Sequence, residues 1–279
     1  MESRRIPGVG DAQRLARSAG KGAAPWVETF ARIGLAAKGA VYVLVGGLAA
    51  AAAIGTGGGT MGSGGALTSI ADSTLGRVVL ALIAIGLLGY VIWNFTRAVL
   101  NPENESGGKR LFAVITGLIY GGLGFQAARL ALNGGSGGGG GGDGARGWSA
   151  QLMQQPFGPW LVGLVGVAIG LYGLHQIWNA WRVDLDDQLA LGSMSASGRT
   201  WAVRFGRFGL AARGVVLALI GGFFLVAAAQ ADPSEARGAG GVLGTLEGTP
   251  WLLAIVALGL VAYGLYNFVR ARFRVIRAV

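Results

Sequence analysis

The chain has no cysteine and a single histidine in 279 residues. The first absence excludes disulfides, thiolate-ligated zinc, iron–sulfur clusters and a thiol nucleophile. The second excludes a multi-histidine metal site, and no metal or cofactor is expected. Charge is also scarce: 13% of residues are charged, about half the share of an ordinary soluble domain. None of the 13 acidic residues falls inside the long apolar runs. Hydrolysis within a membrane needs paired carboxylates, a Ser–His or Ser–Lys pair, or a metal cluster, and none of these assembles in the runs. An enzyme is therefore not expected. A carrier driven by protons or sodium usually places acidic groups in the membrane, so coupled transport is disfavoured as well. The glycine run GGSGGGGGGDG lacks the GKS or GKT ending of a phosphate-binding loop and reads as a linker.

Apolar residues make up 52% of the chain, and the mean hydropathy is +0.54. Apolar runs of spanning length occur at 33–54, 76–97, 111–132, 158–181, 208–230 and 250–271. At ~1.5 Å per residue each covers the roughly 30 Å hydrocarbon core. The expected fold is all-α: a polytopic membrane protein with six transmembrane helices. Many of the 53 glycines lie inside these runs, as suits helices packed closely in lipid.

The net charge of +10 follows topology rather than nucleic-acid binding. Of the 23 Lys and Arg residues, 19 lie on the side of the two termini. The positive-inside rule places that side in the cytoplasm, which predicts a multi-pass membrane protein with both termini cytoplasmic. The N-terminal 25 residues are basic and carry no apolar core of a signal peptide. They read as a cytoplasmic arm, with a short interfacial helix as one form of it.

Internal repetition organises the rest. WVETFARIGLAAKG (26–39) matches WAVRFGRFGLAARG (201–214) at eight of 14 positions, and GLLGYVIWNFTRA (86–98) matches GLVAYGLYNFVRA (259–271) at seven. A fainter middle copy aligns Arg110, Gly117 and Tyr120 with Arg32, Gly39 and Tyr42. FGPWLVG in the fourth run aligns with TPWLLA at the start of the sixth. The chain thus divides into the arm (1–25) and three two-span hairpins (26–108, 109–198 and 199–279). An even number of spans per copy makes the repeats parallel. They close most simply into a ring with pseudo-threefold symmetry, with an irregular bundle as the alternative.

This pattern resembles the bacterial membrane-protein family called domain of unknown function 1206. The likeness lies in the triplicated hairpin, in the G-x-A-A-[KR]-G-x-x-[YL] opening of the odd spans of the first and third copies, and in the G-L-x-x-Y-x-x-[WY]-N closing of their even ones. It covers roughly residues 30–275. It implies a six-span integral membrane protein and no established activity. The middle copy departs from it, with Thr116 in place of the cation.

Two layers of candidate ligand-binding residues follow. Lys38 and Arg213, with Thr116 at the third equivalent position, sit inside odd spans. A cation there either snorkels to headgroups or holds an anionic headgroup or solute. The even spans carry Tyr90, Trp93 and Asn94; Tyr172, His175 and Gln176; and Tyr263, Tyr266 and Asn267 at i, i+3, i+4 spacing, hence on one helix face. These stripes read either as an aromatic belt with interhelical hydrogen bonds or as the lining of a vestibule with the cations. Gln126 is placed either to bond across helices or to line a cavity, and Asp184, Asp186 and Asp187 read as solvated loop charges. The favoured function is a non-catalytic membrane component that binds membrane lipids or a membrane-protein partner. The alternative is a passive channel or an anion- or lipid-handling transporter with a central cavity between the hairpins.

Overall fold

The computed structural model describes residues 9–100, 106–134, 144–182 and 196–273. Among them the regular structure is helical, without a strand: α1 (Val9–Ala53), α2 (Ser63–Thr68), α3 (Thr74–Leu100), α4 (Gly107–Asn133), α5 (Gly144–Met153), α6 (Gly158–Arg182), α7 (Ala196–Gln230), α8 (Ala239–Thr245) and α9 (Pro250–Phe273). The central part of the glycine linker and the acidic run at 184–187 lie outside the described residues, as do residues 1–8 of the basic arm.

Six of these helices, α1, α3, α4, α6, α7 and α9, are long and apolar enough to cross a membrane. Their outward faces are apolar: on α3, Leu82, Ile85 and Leu88 are 64%, 60% and 58% exposed. A surface of that kind suits lipid, not water. The chain is a multi-pass membrane protein. Most span boundaries fall within a few residues of the expected ones. Helices α1 and α7 begin much earlier, at Val9 and Ala196. Their leading segments are rich in Ala and Arg, which are good helix formers, so the helix runs on where the hydropathy signal stops.

The six spans form a circuit that is open between α4 and α6, each span antiparallel to the neighbours it packs on. Within the first hairpin α1 packs on α3, and within the third α7 packs on α9. Between hairpins α3 packs on α4, α6 on α7, and α9 back on α1. The last contact joins the first span of the chain to the last and leaves the ring open between α4 and α6. The equivalent residues meet at each junction. A Cβ on Gly46 would lie 2.7 Å from the Ala257 carbonyl, and one on Gly221 would lie 2.7 Å from that of Gly166. Gly124 faces the carbonyl of Ala84 in the same way, at 3.8 Å. The circuit is therefore pseudo-threefold in its residues as well as its topology.

Each hairpin carries a short helix in its connecting loop: α2, α5 or α8. In α2 and α8 the buried Leu67, Val242 and Leu243 join the main apolar core. The two helices meet where Gly240 rests on the backbone of Gly62, and Thr60 donates a hydrogen bond to Glu247 Oε1. Gln126 of α4 does bond across helices, donating to the Gly64 carbonyl at 3.4 Å. The loop end of the ring is thereby covered over the first and third hairpins.

Candidate functional site

The tripeptide register of the odd spans explains how the centre is built. Lys38 and Gly39 are adjacent, so on a helix they point about 100° apart. Gly39 faces the preceding even helix, where a Cβ would come within 2.8 Å of the Gly264 carbonyl. The relation is reciprocal, with a Cβ on Gly264 2.7 Å from the Gly39 carbonyl. Gly214 and Gly173 repeat this pair, at 2.8 Å and 2.7 Å. Such approach allows backbone Cα–H···O contacts between helices. With the glycine turned to its neighbour, the cation turns to the middle of the ring.

There Lys38 is 6% exposed. Its Nζ donates to Tyr90 Oη at 3.3 Å. It also lies 5.2 Å, 5.1 Å and 5.6 Å from the ring centroids of Tyr90, Tyr120 and Tyr263. Arg213 is part-buried. Its Nε donates to Tyr42 Oη at 2.9 Å, and its guanidinium faces Tyr42, Tyr172 and Tyr263 at 5.8 Å, 5.9 Å and 5.3 Å. Five of the chain's six tyrosines thus surround two cations. Two edge-to-face pairs, Tyr42–Tyr263 at 4.7 Å and Tyr90–Tyr120 at 5.0 Å, hold the rings in place. These pairs are themselves equivalent, each joining an odd helix to the preceding even one. Both cations are held by tyrosine hydroxyls.

The electrostatics of this cage are one-sided. Ring faces and hydroxyl oxygens offer partial negative charge, with each cation–π contact contributing about 0.5–2 kcal/mol. No carboxylate lies in any of the six spans. The two cations share the Tyr263 ring and repel each other across it. The Tyr42 and Tyr90 hydroxyls accept from the cations, which leaves their own hydrogens to be donated. Two cations and two hydroxyl hydrogens are complementary in charge to an anionic oxygen.

A family model for a domain of unknown function, 1206, matches three times, over residues 33–101, 112–183 and 208–274. The chain belongs to this family. Each match of the domain of unknown function 1206 coincides with one hairpin. The chain is also 32% identical over 258 residues to the uncharacterised protein YxxB of Bacillus subtilis (strain 168), covering 90% of this chain and 92% of that protein. No solved structure matches.

In this member of the domain of unknown function 1206 family, the other expected residues are placed differently. Asn94 and Asn267 are buried in helix interfaces, and their amides donate back to the Tyr90 and Tyr263 carbonyls at 2.8 Å and 2.7 Å. They lock the even helices locally rather than line the cage. Asn267 Oδ1 and Gln176 Nε2 are buried without a partner. Thr116 is part-buried on α4, on the face shared by Phe112 and Tyr120. His175 is exposed and accepts from or donates to Asn179 at 2.8 Å. Its equivalents Trp93 and Tyr266 are buried, beneath Arg97 and Arg270. Tyr42 and Tyr120 are cage residues that the candidate set lacked. Their signal was present, four residues after Lys38 and Thr116. It was masked by Leu217 at the third equivalent position.

Proposed function

We propose that this protein is a non-catalytic component of the bacterial cytoplasmic membrane. It holds an anionic group, a phosphate or carboxylate of a lipid or solute, between its three hairpins. The observation that carries this reading is the pair of cations, Lys38 and Arg213, enclosed by five tyrosines in a ring of helices whose spans contain no acid. A cation kept in a membrane interior costs several kcal/mol unless partnered, and aromatic faces compensate only part of that cost. An anion bound between the two charges supplies the rest. The covered loop end of the ring favours a site that holds its ligand over an open channel. The excess of basic residues at the other end supports cytoplasmic termini.

The test is native mass spectrometry of the purified protein with its bound lipids and anions, wild type beside the Lys38→Met/Arg213→Met double variant. A specific anionic species present in the wild type and lost in the variant is the expected result. Identical bound species in both proteins would remove the site.

A further inference from the structure

The ring has one open joint. Helices α1 and α3 pack along their length, as do α7 and α9, but the corresponding pair α4 and α6 does not. The cause is local and legible in the residues. In the first hairpin a Cβ on Gly34 would lie 2.6 Å from the Tyr90 Cα, and Gly86 rests on Ala37. In the third, Gly209 and Gly259 repeat these contacts with Tyr263 and Ala212. In the second hairpin the positions equivalent to Gly34, Ala37 and Gly86 are Phe112, Ile115 and Ala168. Phe112 meets Tyr172 ring to ring, with centroids 4.6 Å apart. A phenyl group where its counterparts have no side chain wedges the helices apart. Phe112 and Ile115 remain 41% and 45% exposed. The two spans of this hairpin are also the least buried of the six, at 22% each, against 50% for α1 and 56% for α9.

The seam leads to the cage. Tyr172, the ring that touches Phe112, is also one of the three rings around Arg213. Tyr120, on the same face of α4 as Phe112, is one of the three around Lys38. The walls are apolar and open towards lipid, while the far end is cationic. A molecule that complements both has a chain that dissolves in the bilayer and an anionic head.

We infer that the α4–α6 seam is a lateral gateway through which an anionic phospholipid of the surrounding bilayer reaches Lys38 and Arg213, with its acyl chains along Phe112 and Ile115. This rests on the anion-holding reading above and names the ligand class. Thr116 stands about nine residues, ~14 Å, from the start of α4, so the phosphate sits below the interfacial plane. A headgroup drawn to that depth needs more than one cation to hold it. The two cage cations supply this.

The absence of cysteine makes the test direct. Ile115→Cys and Ala168→Cys place one thiol on each wall, and a short bismaleimide joins them in delipidated protein. Bound phosphatidylglycerol is then read by native mass spectrometry, and bound inorganic phosphate by radiolabel, before and after cross-linking. The expected result is at least a tenfold loss of phosphatidylglycerol with phosphate binding changed less than twofold. Equal phosphatidylglycerol binding in linked and unlinked protein would overturn the gateway while leaving the anion site intact. So would phosphate binding without any phosphatidylglycerol binding, or thiols that link only between two copies of the chain, which would make the seam an interface. Failure of the Lys38→Met/Arg213→Met variant to lower binding of either ligand would overturn the underlying reading instead. The variant Phe112→Gly/Ile115→Ala/Ala168→Gly, which copies the first hairpin at all three positions, closes the seam without a reagent and should give the same selective loss of lipid.

Discussion

Lys38 and Arg213 can be tested by substitutions that keep length and remove charge. If the cage exists to bind an anion, its charges are a liability when it is empty. Replacing a buried charge by an apolar group of similar volume is often neutral or stabilising by about 1–4 kcal/mol. We therefore expect Lys38→Met to unfold no earlier than wild type in phosphate-free detergent. The stabilisation that added phosphate gives the wild type should disappear. A differential thermal-shift series in rising phosphate measures both effects, and a lower melting temperature for the empty variant would mean that the lysine serves packing alone. The rings can be dissected in the same assay. Tyr263 faces both cations, so Tyr263→Phe keeps the ring face and should cost under about 1 kcal/mol, whereas Tyr263→Leu should cost about 2–4 kcal/mol. Much of this site was legible in the sequence, because triplication put Lys38 beside Arg213 and Tyr90 beside Tyr172 and Tyr263. His175 was not, since its burial depends on whether a neighbouring helix covers it, and the wedge at Phe112 keeps that neighbour away.

Helices in this ring meet through glycines whose roles differ by face. Gly39 and Gly47 lie on the same helix, yet a Cβ at Gly39 would collide with the Gly264 carbonyl and one at Gly47 would meet nothing within 4 Å. Overpacking a tight contact costs about 1–3 kcal/mol, while Gly→Ala on an open helical face gains about 0.4–1 kcal/mol. Opposite shifts in melting temperature are thus expected for Gly39→Ala and Gly47→Ala, and two shifts of the same sign would contradict the packing scheme. The arginines at the start of the odd spans act on their neighbours' ends. Arg110 donates to the Ala98 and Val99 carbonyls at 2.7 Å and 3.4 Å, and Arg32 donates to those of Ala271 and Arg272. These are equivalent pairs of carbonyls at the C-termini of α3 and α9, where orphan acceptors and the helix dipole favour a cation. In Arg32→Gln, amide exchange over the last turn of α9 should rise at least threefold while mid-helix exchange is unchanged. The spans themselves were legible from hydropathy. The early starts of α1 and α7 were not, because an Ala- and Arg-rich helix continues without any apolar signal.

At the scale of the molecule, three copies of one hairpin build a circuit with a single open joint, which one copy cannot. The parallel sense of the repeats followed from their even number of spans. The symmetry of closure follows from equivalent glycines meeting equivalent carbonyls at every junction. What the repeat could not announce was its own break, since one phenylalanine in place of a glycine opens a seam that no periodicity records. Orientation is the remaining global property, and it is set by charge. By their place in the sequence, 19 of the 23 basic residues fall on the side of the spans that carries the termini, and holding them on the cytoplasmic side is what the insertion bias favours. The repeats make this a threefold test. Ser106, exposed just before α4, lies on the terminal side; Gly248, exposed just before α9, lies on the loop side. In a chain without native thiols, Ser106→Cys and Gly248→Cys give clean reporters. A membrane-impermeant maleimide added to intact cells should label the cysteine at 248 and leave the one at 106 untouched until the cells are opened. A third reporter, Phe157→Cys in the loop before α6, should follow 248. Labelling at 106 in intact cells would invert the assignment and put the basic face, with its capping arginines, outside. Labelling at 248 without 157 would break the parallel arrangement of the hairpins on which the cage depends.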